Sequence, residues 1–112
     1  MQIDQTTSGP ATVLSLTGDL DSFSVNYLKE RLTRLFDDGV YRIVINLTHV
    51  DFIDSAGLGQ LVSALKICYH HSGGIVLVGP NETIIDLLRI TKLKDVFKVA
   101  ESVEDAATLL EE

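Results

Sequence analysis

Three short runs rich in β-branched residues, Thr12 to Leu16 (TVLSL), Ile43 to Leu47 (IVINL) and Ile75 to Val78 (IVLV), are each bounded by glycine, proline or polar positions, a pattern that predicts β-strands. The second and third show little apolar–polar alternation, as expected of strands buried on both faces of a mainly parallel sheet. Between them apolar residues recur at helical spacing. Phe23, Leu28, Leu32, Leu35 and Phe36 form one stripe, Leu58, Leu61, Val62, Leu65 and Cys68 or Tyr69 a second, and Ile84, Leu87 and Leu88 a third. Asn81 is placed to cap the third helix, and Ser102 with Asp105 has the spacing of a capping box for a last helix ending at Leu110. Gln2 to Gln5 pairs with Thr12 to Leu16 across a turn of Ser8, Gly9 and Pro10, and a short strand is expected at Val96 to Val99. The predicted order is β-β-α-β-α-β-α-β-α: an α/β fold in which a mixed, mostly parallel sheet is covered by four helices.

Sheets of this kind collect functional groups beyond the carboxyl ends of their parallel strands. Three connections reach that edge: Gly18 to Ser22 (GDLDS), Thr48 to Asp54 (THVDFID) and Gly79 to Asn81 (GPN). The second leads into Asp54-Ser55-Ala56-Gly57-Leu58-Gly59, which places the Ser55 hydroxyl at or beside a helix N-cap. The first N–H groups of a helix lack intrahelical partners and the dipole there is positive, which favours an oxygen ligand or a phosphate. Gly57 and Gly59 each cost about 1 kcal/mol of helix stability relative to alanine, and their missing β-carbons allow another chain or a neighbouring strand to approach the first turn. Two alternatives stand beside a functional serine. Ser55 could serve only as a cap, with the glycines serving packing. Gly57-Leu58-Gly59 also begins a G-x-G-x-x-G fingerprint, but Val62 stands where its third glycine belongs, and Glu82 is a weak match to its ribose-binding acid.

The totals narrow the choices. With 112 residues the chain is expected to be one domain, 1–112, long enough to bury a core without disulfides or a structural metal. A single cysteine forms no internal bridge. No apolar run approaches the roughly 20 residues of a membrane span, and Met1 to Pro10 lacks the features of a signal peptide; a cytoplasmic location with no membrane contact is expected. Sixteen acidic against nine basic residues give a net charge of −7, which argues against nucleic acid as a partner. Five of the acids (Glu101, Glu104, Asp105, Glu111, Glu112) lie in the last twelve residues with no basic one, so the rest of the chain is near −2. Lys92, Lys94 and Lys98 are of opposite sign to that tail and fit a solvated, self-compensating surface. His49, Asp54 and Ser55 contain the residue types of a hydrolytic triad without the strand–turn elbow such a nucleophile needs. His70-His71 lacks metal-site spacing and suits capping of a helix C-terminus, and Cys68 suits a buried, inert thiol. No catalytic residue, metal or cofactor is expected.

The segment IVINLTHVDFIDSAGLGQLVSALK, Ile43 to Lys66, resembles the signature of bacterial anti-sigma factor antagonists of the STAS (sulfate transporter and anti-sigma antagonist) domain family. LTGDLDSFSVNYLKERL at Leu16 to Leu32 is similar to that family's second strand and first helix, and GGIVLVGPNETIIDLLRITKLKDVFKV at Gly73 to Val99 to its latter half. The resemblance implies that Ser55 is phosphorylated by an anti-sigma factor that is itself an ATP-dependent serine kinase, and dephosphorylated by a PP2C-type phosphatase. The unphosphorylated form binds the anti-sigma factor and releases sigma. It further implies partner-contact roles for Asp21, which matches an acidic position at the start of the first helix, for Asp54, and for Ser55, Ala56, Gly57, Leu58 and Gly59; for Asp21 a part in the phosphorylation geometry, or only a helix-start charge or cap, stands as an equal alternative. Ala56 replaces a second serine found in some members, leaving one hydroxyl at the site. Asp19 is a weaker candidate, while Phe52 and Ile53 are expected as core or loop anchors. The family also contains domains that act without phosphorylation as subunits of transporters or other signalling assemblies, which is the alternative function.

Overall fold

The computed structural model describes residues 1–111. Its elements follow the predicted order: β1 (Gln2–Ser8), β2 (Ala11–Thr17), α1 (Val25–Asp37), β3 (Arg42–His49), α2 (Ser55–His70), β4 (Gly74–Val78), α3 (Glu82–Ile90), β5 (Lys98–Ala100) and α4 (Val103–Leu109). The sheet runs β1-β2-β3-β4-β5, with β1 antiparallel to β2 and the remaining pairs parallel. β1 extends three residues beyond the prediction. Thr6, Thr7 and Ser8 pair with Val13, Thr12 and Ala11, leaving Gly9, at φ +56°, and Pro10 as the whole turn. At the other edge, β5 is displaced one or two residues toward the C-terminus of its predicted place, because Phe97 is drawn into the core while Lys98 to Ala100 pair with β4.

The missing alternation in the central strands has a specific cause. The buried positions are apolar on both faces, Ser15 and Asn46 being half-buried, yet the faces differ in size. Leu14, Leu16, Ile43, Ile45, Leu47, Ile75 and Leu77 point to the face covered by α1, α2 and α3, whereas Ala11, Val13, Val44, Val76, Val78 and Ala100 meet Ala106, Ala107 and Leu110 of α4 on the other. The three crossovers advance along the sheet in one direction, so crossovers of a single hand place their helices on one face. Large side chains fill the thick layer and small ones the thin layer.

Two members of the predicted stripes lie elsewhere. Phe23 precedes α1 and is 91% exposed; it stands five residues before Leu28, a spacing that leaves the helical face. In α2 the choice between Cys68 and Tyr69 falls to Cys68, which is fully buried while Tyr69 is exposed. The Ser102 and Asn81 caps form as expected, accepting hydrogen bonds from the Asp105 N–H at 3.1 Å and the Ile84 N–H at 2.8 Å. Lys92, Lys94 and Lys98 make no ion pair among the described residues, where Arg89–Asp86 is the salt bridge formed.

Leu77 lies fully buried in the inner strand β4. Leu77→Ala is expected to lower unfolding free energy by about 2–5 kcal/mol, read from urea denaturation. A loss of only a few tenths would contradict the two-layer core.

Candidate functional site at the start of helix α2

The carboxyl ends of β2, β3 and β4 bring the three polar connections together. Past the end of β3, pairing with the β2 side resumes as a single parallel bridge between Leu20 and Ile53. The Leu20 N–H donates to the Phe52 carbonyl at 2.9 Å and the Asp54 N–H to the Leu20 carbonyl at 3.1 Å. From the third connection, Asn81 Nδ2 donates to the Asp51 carbonyl at 3.0 Å. A short loop of Val50 to Asp54 is thus held on both sides before it enters α2.

Asp54, and not Ser55, is the N-cap of α2. One carboxylate oxygen accepts from the Gly57 N–H at 3.0 Å and the other from the Ser22 N–H at 3.0 Å. The Gly57 N–H, aided by that of Ser22 and opposed by partial burial, holds the Asp54 carboxyl below its usual range. Ser55 is therefore the first helical residue. It is exposed, and its hydroxyl makes no hydrogen bond among the described residues, so the cap-only role proposed for it from sequence does not apply.

Asp21 takes a cap-like role of the kind that stood beside the contact role implied by the resemblance. Its Oδ1 accepts from the N–H groups of Phe23 and Ser24 at 3.0 and 3.1 Å, while Ser24 Oγ accepts from the Asp21 N–H at 3.0 Å and donates to the Asp19 carbonyl at 2.7 Å. This reciprocal pair has the form of a capping box and closes the turn just ahead of α1, whose own N-cap, Ser24, makes no side-chain cap hydrogen bond. Asp21 therefore shapes the loop that holds Ser22 and Phe23 against α2.

The expected contact segment divides by burial. Gly57 and Leu58 are buried: a β-carbon on Gly57 would lie 2.5 Å from the Leu20 carbonyl oxygen and 2.7 Å from Leu20 Cγ. The close approach expected at this glycine is made by the protein's own β2–α1 loop. Gly59 is exposed with nothing within 4 Å of a β-carbon. Ala56 is half-buried, and Asp19 and Asp51 are exposed. Ile53 is the buried anchor expected of it, but Phe52 is 48% exposed, a correction with a clear cause: alternation in the Leu20–Ile53 bridge turns Ile53 into the core and Phe52 away from it. Phe23 and Phe52 are the residues sequence reasoning placed wrongly, and the broken helical spacing of Phe23 was the available signal.

The remaining chemistry has structural explanations. Both Asp54 oxygens accept from backbone N–H groups, so no His49-Asp54-Ser55 relay forms. The Gly57 N–H that a dinucleotide phosphate would need is taken by Asp54. His71 stacks on Tyr41 with ring centres 3.9 Å apart, and its Nδ1 lies 3.0 Å from the Ile67 carbonyl near the end of α2. Burial pushes the Cys68 thiol up to about 12. No group of three metal-ligating side chains occurs among the described residues, and no helix there is long and apolar enough to cross a membrane.

The family model for the STAS domain matches residues 2–106, and the chain belongs to that family. It is 35% identical over 104 residues to the anti-sigma-B factor antagonist of Staphylococcus aureus, spanning 93% of this chain and 96% of that one. A Thermotoga maritima protein assigned as an anti-sigma factor antagonist has the same fold, with a TM-score of 0.91, 23% identity, and coverage of 98% of this chain and 95% of that one. So does the phosphorylated form of the Bacillus cell fate determinant SpoIIAA, with a TM-score of 0.75, 21% identity, and coverage of 96% and 98%.

The two glycines should respond oppositely to alanine. Gly59→Ala has open space and gains up to about 1 kcal/mol from helix propensity, whereas Gly57→Ala collides with Leu20 and destabilises; thermal unfolding midpoints report both. Acid stability follows from Asp54. Its folded pKa lies below the ordinary carboxylate value, so the stabilisation is present above the unfolded pKa and is lost as pH falls through the folded one. Asp54→Asn, which retains a capping oxygen, is expected to flatten the fall in melting temperature between about pH 5 and pH 2. An unchanged acid limb would show that the carboxylate charge is not involved.

Proposed function

We propose that the protein is an anti-sigma factor antagonist. Unphosphorylated, it binds an anti-sigma factor that is a serine kinase and so releases sigma; phosphorylation of Ser55, with ATP used by the partner, ends that binding. A PP2C-type phosphatase restores the active form, and the cycle runs in the cytoplasm. The observation that carries this proposal is the division of labour between neighbours: Asp54 caps α2, which leaves the Ser55 hydroxyl exposed and without a structural duty. The name of the 35%-identical staphylococcal relative and the existence of a phosphorylated structural neighbour support the same assignment.

The electrostatics explain the direction of the switch. A phosphate adds about −1.5 to −2 charge at pH 7. It would stand beside a carboxylate that its own hydrogen bonds keep ionised, in a segment from Thr48 to Gly59 that contains no Lys or Arg. The helix dipole favours the added charge locally, so the fold tolerates it. The penalty falls on association, where like charge and desolvation oppose a closing interface.

Incubation with the cognate kinase and ATP is expected to add one phosphate, localised to Ser55 by mass spectrometry. Ser55→Asp should lose binding with an unchanged circular dichroism spectrum, and Ser55→Ala should bind whether or not ATP is present. Stable co-purification with membrane or other signalling subunits, with no mass gain at Ser55, would instead establish the non-phosphorylated subunit role.

A further inference from the structure

Two apolar features flank Ser55 without contributing to the core. Phe23, at the tip of the β2–α1 loop, is 91% exposed. Its position is fixed: its N–H donates to Asp21 Oδ1 at 3.0 Å, and the preceding Ser22 N–H donates to Asp54 at 3.0 Å. On the other flank, Phe52 and Ile90, 48% and 79% exposed, line a groove of about 300 Å³ whose other walls include Ile53, Ile84 and Leu87.

These flanks belong to one rigid surface. The Leu20–Phe52 and Asp54–Leu20 backbone bonds and the Ser22–Asp54 bond join the loops that carry Phe23, Phe52 and Ser55. With the backbone beneath it held, an aromatic side chain has only its two side-chain torsions left to order on entering a partner's pocket, a small cost for an interface anchor. The loops immediately around Ser55 are anionic, whereas the far wall of the groove on α3 carries Arg89, paired with Asp86. Asp19 and Asp51 are exposed, and neither Thr17 to Phe23 nor Thr48 to Gly59 contains Lys or Arg. Charge complementarity therefore selects a partner that carries cations between its apolar contact sites.

We infer that the anti-sigma factor closes over Ser55 from both sides, with an apolar pocket for Phe23, an apolar side chain for the Phe52–Ile90 groove, and Lys or Arg between them facing Asp19 and Asp51. This rests on the antagonist function proposed above and adds the source of its affinity. Ser55 then lies between two dehydrated contacts, so a phosphate on it must be desolvated or must hold both contacts open.

Calorimetric titration of the cognate anti-sigma factor with the full-length protein tests this. Phe23→Ser and Ile90→Ser are each expected to weaken binding at least tenfold with unchanged circular dichroism. Ile67→Ser, an exposed position near the other end of α2, should stay within twofold of wild type. Wild-type-like affinity in both flank variants, with Ser55→Asp still abolishing binding, overturns the two-sided interface and leaves the antagonist function standing. Failure of the wild type to bind overturns both. A homodimer in sedimentation that Phe23→Ser or Ile90→Ser dissociates would assign the surface to a second copy of this chain and overturn the inference.

Discussion

The Asp54 carboxylate joins two parts of the chain at this edge, the β2–α1 loop and the start of α2. One oxygen fixes the first turn of α2 through Gly57, and the other fixes the β2–α1 loop through Ser22. The contact beneath it has the same effect, because Gly57 brings the α2 backbone against Leu20 at a distance that excludes any side chain. Hydrogen bonds above and a close backbone approach below leave the edge little latitude. The sheet supplies the platform: the Leu20–Ile53 bridge continues the β2–β3 pairing past both strand ends.

Most of the fold was legible because its signals were local. β-Branched runs, helical stripes and the Asn81 and Ser102 caps each depend on a few neighbouring residues, and each formed. The failures were tertiary. Phe23 looked like the first residue of a helical stripe, but the Asp21–Ser24 capping box closes a turn ahead of α1 and leaves Phe23 outside it. Phe52 looked like an anchor because an apolar residue in a polar loop usually is one; the bridge that turns it outward joins residues more than thirty positions apart. The size difference between the two sheet faces was present in the sequence as alternating Ile/Leu and Val/Ala, but becomes interpretable only once three helices are seen on one side and one on the other.

At the site, the sequence placed the serine within one residue of its position and misjudged what its neighbours do. Residue type alone could not separate Asp54 from Ser55 as the cap, since both cap well. The decision came from Ser22: a carboxylate has two oxygens and can hold a second loop while capping, which a hydroxyl in the same place cannot do with equal strength. For Asp21 and Gly57 the weight shifts in the same direction, toward fixing the shape of the surface around Ser55.

That shift bears on how charge works here. The net −7 of the chain is concentrated toward its C-terminus and says little about recognition. The local charges differ in kind: Asp21 and Asp54 are engaged by backbone N–H groups, while Asp19 and Asp51 face solvent. Engaged carboxylates set geometry, and their charge is partly offset by the N–H dipoles that hold them. Free ones contribute to the outward field that a partner meets. A group added to Ser55 would join the second set while sitting next to the first. It would find the Gly57 and Ser22 N–H donors already taken, and its charge would be directed toward the partner instead of into the fold.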